Sequence, residues 1–163
     1  MDQLTRRGSD GCFSSGLLTA TGAETVYDTT VAITYAIDGI LYVKATVADG
    51  ATPTLDANTG IAFLPIQADK ACVFLWCLNS ANTVSVAQGE IVTVDGDTDI
   101  RKWNPQFPLV PTGTVPFAFH IIQTTGASSA FTFGSSNWNA TGITKLIRNL
   151  ATMPARPVNT VTA

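Results

Sequence analysis

The chain has 163 residues, long enough for a single domain with a substantial core. Charged residues make up 13% and hydrophobic residues 45%, which fits either permanent contact with other chains or a monomer whose surface is rich in Thr, Ser and Asn. The net charge is −3 and basic residues adjoin only at Arg6-Arg7 and Arg101-Lys102, so the basic stripe of a nucleic-acid binder is missing.

Residues 1–29 are rich in Gly, Ser and Thr, with scattered apolar groups at Leu4, Phe13, Leu17 and Leu18. The segment has neither helical nor strand periodicity until its end. It reads as an N-terminal arm, either ordered against something else or simply disordered. Met1 to Arg6 lacks the apolar stretch of a secretion signal, and no apolar run is long enough to span a bilayer. A membrane partner is therefore not expected.

The body of the domain is expected over residues 30–150. Val31–Ile37 and Ile40–Val47 flank Asp38-Gly39, the signature of a two-residue type I′ hairpin. That turn sets Ile37 opposite Ile40, Tyr35 opposite Tyr42 and Ile33 opposite Lys44. Both faces of the hairpin are apolar, so one is expected on the core and the other against a second sheet or subunit. Gly60–Ile66 reads as a short strand that Pro65 either confines to an edge or ends in a bend. Ala71–Leu78 is apolar on both faces and is expected to be the central buried strand. Thr83–Val86 and Ile91–Val94 are expected to form a second hairpin around Ala87–Glu90.

Simple alternation in Val115–Thr124 puts Val115, Phe117, Phe119 and Ile121 on one face and Ala118, His120 and Ile122 on the other. Phe131-Thr132-Phe133 reads as a short strand, Ile143–Leu150 as a strand or a brief helix with Thr144–Ile147 favouring strand, and residues 151–163, with Pro154 and Pro157, as an extended C-terminal tail. No segment sustains helical periodicity. The fold class expected is all-β, an antiparallel β-sandwich or jelly-roll-like barrel.

Chemistry is sparse. The cysteines, Cys12, Cys72 and Cys77, are odd in number and lack C-x-x-C spacing, and Cys72 and Cys77 fall on opposite faces of one strand, so free buried thiols are expected. His120 is the single histidine and has no titratable neighbour in sequence, which points to a structural side chain rather than a ligand or a base. Asp95, Asp97 and Asp99 alternate in one loop. An EF-hand would need Gly and Glu where Ile100 and Gln106 stand, leaving an acidic loop or a structural Ca²⁺ site. No nucleophile elbow or phosphate-cradling loop occurs, and neither enzymatic activity nor a cofactor is expected. Trp103 and Trp138 sit in loops, where they could stack on sugars, anchor an interface or cap a sheet.

Residues 105–144 carry a resemblance. Pro108 and Pro111 punctuate a turn before the long strand, and Ala130–Thr132, Gly134–Ser136 and Trp138–Thr144 follow the pattern A-F-T-x-G-[ST]-[ST]-x-[WL]-[ND]-A-x-G-[IV]-T. This resembles the C-terminal half of small head-associated structural proteins of tailed bacteriophages, of the capsid decoration or cement kind. Phe133 departs from that pattern, where proline is the expected residue. The resemblance covers about a quarter of the chain. It implies a virion protein made in the host cytoplasm, bound to the outside of the shell of major capsid protein, and a homotrimer. On that reading the contacts fall to the arm (Leu4, Phe13, Leu17, Leu18), the hairpin (Tyr35, Tyr42), the His120 face, Trp103 and Trp138. The alternative is a head-fibre or tail appendage domain that binds a host glycan through Trp103 and Trp138.

Overall fold

The computed structural model describes residues 10–22, 25–94, 106–126 and 130–151. Its strands are β1 (Gly11–Cys12), β2 (Leu18–Thr19), β3 (Val26–Thr29), β4 (Ile33–Ile37), β5 (Ile40–Lys44), β6 (Val47–Ala51), β7 (Lys70–Asn79), β8 (Val84–Gln88), β9 (Val92–Thr93), β10 (Thr114–Thr124) and β11 (Ile143–Asn149). The protein is all-β and antiparallel, and its sheets stay open, so it is a sandwich and not a closed barrel.

The hairpin follows its turn chemistry. Asp38 and Gly39 take φ of 51° and 76°, as a type I′ turn requires, and the pairs Ile37↔Ile40, Tyr35↔Tyr42 and Ile33↔Lys44 form as expected. The same two chain segments continue pairing beyond it, since β3 runs beside β6. On the other side of β4 and β3 lie β1 and β2, with Cys12 opposite Tyr35 and Leu18 opposite Thr29 in one unbroken register. The two three-stranded sheets are thus halves of one bent meander, β1/β2–β3/β4–β5/β6. Leu17, at φ 48°, sits in the bend.

Residues 1–29 read as an arm either ordered against something else or disordered; the described part of them pairs within the meander as β1, β2 and β3. Leu18 shows how it is held. Its N–H donates to Asn149 Oδ1 at 2.6 Å, and its C=O accepts from Asn149 Nδ2 at 3.4 Å. No local pattern announces a partner 131 positions away.

The second layer is the sheet β11-β10-β7-β8, with β9 beside the start of β7. β7 is buried on both faces, as its unbroken apolar run predicts. Cys72, Phe74, Trp76 and Leu78 face the meander, while Val73, Leu75 and Cys77 face a smaller cluster with Ala87, Phe119 and Ile121. All three cysteines are free and buried. Burial pushes the thiols of Cys72 and Cys77 up to about 12, which keeps them protonated and inert at neutral pH.

Three local expectations fail, each for a backbone reason. β8 and β9 do not pair with each other. Both pair with β7 along one edge, with a one-residue slip between Phe74↔Gln88 and Ala71↔Val92. Gly89 interrupts the strand there without reversing it. Its N–H donates to Val73 O, and a Cβ at this position would stand 3.0 Å from that oxygen.

β10 bulges at Phe117, between the pairs Pro116↔Cys77 and Ala118↔Trp76. Pro116 has no N–H to continue the ladder, and the extra residue inverts the alternation. Val115 and Phe117 therefore share the main core with Ala118 and Ile122, while Phe119 and Ile121 face the other cluster. Finally, the segments around Ile66 and Phe131 meet only in the isolated bridge Ile66↔Phe131, so neither is a strand.

The motif residues 130–144 fold back as a plug on the core. Gly134 has φ 72°, and a Cβ there would stand 2.3 Å from Pro53 O. Ser136 Oγ accepts from Thr132 N at 2.9 Å, closing the turn. Gly134→Ala adds left-handed strain to a clash with rigid backbone. We expect it to lower stability by about 2–3 kcal/mol, read as a fall in the urea midpoint with an unchanged slope.

Candidate interaction surfaces

His120 lies at the centre of the main core and is fully buried. Its Nδ1 accepts a hydrogen bond from Trp76 Nε1 at 2.9 Å, which assigns the ring proton to Nε2. The ring stacks on Trp138 with centroids 5.2 Å apart and planes at 18°. Burial, with a smaller contribution from Lys145, pushes its pKa down to about 3, so the imidazole is neutral at physiological pH. Nε2 has no hydrogen-bond partner among the described residues, and no group of three His, Cys, Asp or Glu is gathered among them. The ring is neutral and packed between Trp76 and Trp138.

Burial corrects several expected contacts. Leu18, Tyr35, His120 and Trp138 are all buried within the single chain, so none of them can supply an outer face. Tyr35 instead anchors the meander, its hydroxyl donating to Asn79 O at 2.7 Å. Trp138 Nε1 donates to Val26 O at 2.8 Å, which removes this indole from any glycan site. Tyr42 is half-buried and stacks on Tyr35 at 5.5 Å. Phe13 and Leu17 are exposed. Leu4, Trp103, the aspartates 95, 97 and 99, and the tail 152–163 lie outside the described residues.

Two exposed apolar surfaces take the place of the buried candidates. The first is strand β5, where Ile40, Leu41 and Val43 are 58%, 63% and 57% exposed. The apolar character of both hairpin faces signalled it, because the meander can bury only one of them. Sequence reasoning missed the second surface. The loop after β6 runs along the outer edge of β8, bridging Asp56 to Val86, and carries Leu55, Ile61 and Leu64 exposed. Beside it the Pro108–Pro111 turn presents Leu109, 85% exposed, and Val110.

Hydrogen bonds hold the second surface rigid. Asn58 Nδ2 donates to Leu109 O at 2.9 Å. Gln88 both accepts from Leu64 N and donates to Leu64 O. The Asp56 carboxylate accepts from Thr59 Oγ1 and from Gln88 N. The residues that could have signalled this surface are apolar side chains placed between turn formers, as in Pro108-Leu109-Val110-Pro111.

No protein-family model matches the sequence, and comparison with curated proteins and with solved structures finds no match either. The geometry therefore stands by itself: a rigid sandwich whose titratable core residue is sequestered, with apolar side chains held outward on an ordered loop and an edge strand.

Proposed function

We propose that this protein is a structural component of a bacteriophage virion, a decoration or cement protein that binds the outside of the capsid shell and bridges its subunits. The observation that carries the reading is the preorganised apolar loop surface of Leu55, Ile61, Leu64, Leu109 and Val110. A rigid loop binds without a large ordering cost, and each buried Å² of apolar area contributes about 25 cal/mol. Repetition over a shell multiplies a modest contact through avidity. The motif of residues 130–144, which carries the resemblance to head-associated phage proteins, supports the same reading. Its turn glycine and its buried tryptophan build the scaffold behind the loops.

The test uses capsids assembled from the major capsid protein of the phage that encodes this chain. Purified protein is expected to co-sediment with them and to raise their thermal stability. The double variant Ile61→Asp with Leu109→Asp should lose at least about tenfold in affinity while keeping the melting temperature of the free protein, because both side chains are exposed. Wild-type protein that stays in the supernatant would refute the reading.

A further inference from the structure

Most sheet edges among the described residues are closed by something specific. The outer edge of β8 is bridged by the loop at Asp56, and β11 is tied to β2 through Asn149. β1 is only two residues long, and β6 breaks at Asp49, which takes φ 52°. Such devices keep edges from pairing with other chains. β5 has none of them. Among the described residues it pairs only with β4, contains no proline or bulge, and presents its apolar side chains to solvent.

The hairpin geometry fixes which backbone groups are open. The type I′ turn makes Ile37↔Ile40 a hydrogen-bonded pair, so Ile40, Tyr42 and Lys44 turn their amides towards β4. The N–H and C=O of Leu41 and Val43 point the opposite way, along the open edge.

We propose that β5 pairs antiparallel with β5 of a second copy, about a two-fold axis at Tyr42. In that register Leu41 lies opposite Val43 of the second copy, and Val43 opposite its Leu41. All the outward-pointing amides of the strand are then satisfied, and the two exposed apolar side chains cover each other. The charges fit as well. Lys44 falls opposite Ile40 of the second copy, at the end of the strand where that copy's Asp38-Gly39 turn begins. The two Lys44 side chains sit at opposite ends of the paired strands. The sequence of β5 is thus complementary to itself, which is what an isologous contact needs. Such an axis joins two copies, so it replaces the trimer that the resemblance implies. The inference is independent of the capsid reading.

Two measurements on the whole protein test it. Sedimentation equilibrium at micromolar concentration should give a dimer, and Leu41→Lys should weaken it about 10- to 100-fold by placing like charges diagonally across the axis. Leu41 is exposed, so the melting temperature of that variant's monomer should not fall. In Tyr42→Cys the two new thiols would face each other in a non-hydrogen-bonded pair with Cα atoms about 4.5 Å apart, within disulfide range. Mild oxidation should link this variant into a covalent dimer, while the buried native cysteines stay free. A wild-type monomer or trimer, a dimer indifferent to Leu41→Lys, or a Tyr42→Cys variant that does not cross-link would each overturn the proposal.

Discussion

Replacing Trp138 with alanine should cost about 3–5 kcal/mol of folding stability. Only 1% of the side chain is exposed, and it closes the core over His120. Its ring meets Phe133 edge-on at 5.3 Å and Phe131 at 6.1 Å, so truncation opens a cavity lined by aromatic rings too rigid to collapse into it. Val26 O loses its donor at the same time. Trp138→Phe keeps most of the stacking and loses the hydrogen bond, for a smaller cost of about 1–2 kcal/mol. Urea titrations with an unchanged slope measure both values. A loss under about 1 kcal/mol for the alanine variant would mean that the plug does not seal the core.

Acid should destabilise the protein through one residue before the carboxylates contribute. The imidazole of His120 has a folded pKa of about 3, against 6.5 in the unfolded chain. Between those values the unfolded state binds a proton that the folded state refuses. The stabilisation is therefore complete above pH 6.5 and is lost as pH falls towards 3, by up to about 1.4 kcal/mol per pH unit. By pH 4.5 the loss reaches about 3 kcal/mol. His120 is the single histidine, so the slope between pH 6.5 and 5 belongs to it. His120→Gln keeps an acceptor for Trp76 Nε1 and should flatten that slope while lowering stability at pH 7.5. An unchanged slope in the variant would contradict a buried, neutral ring.

The legible parts of the fold were those decided locally. Asp38-Gly39 fixes its own turn type, hence the register of β4 with β5. The apolar run of β7 announces burial on both faces. The rest depended on distant partners or on a single backbone irregularity. The first strand is written in small polar residues and is held by Asn149, so nothing within residues 10–22 distinguishes it from a free arm. Pro116 was a visible warning that alternation would break in β10, and Gly89 a similar one beside β8. Reading either requires knowing which edge is paired.

The interaction surfaces were legible only in part for a related reason. Side-chain type does not say which of two apolar faces the core will take. Tyr35 and Ile33 went inward while Leu41 and Val43 stayed out, because the two pairs lie on opposite faces of the hairpin and only one face meets the core. Trp138 reads as a loop residue and a plausible anchor, yet the turn at Gly134 folds it back against His120.

Electron microscopy of phage capsids incubated with the purified protein tests the proposed adhesive role most directly. The account predicts density for the sandwich on the outer surface of the shell, with the Leu109-Val110 turn and the Leu55–Leu64 loop buried against capsid subunits. A particle whose shell carries no such density, or one that turns those loops to solvent, would contradict it.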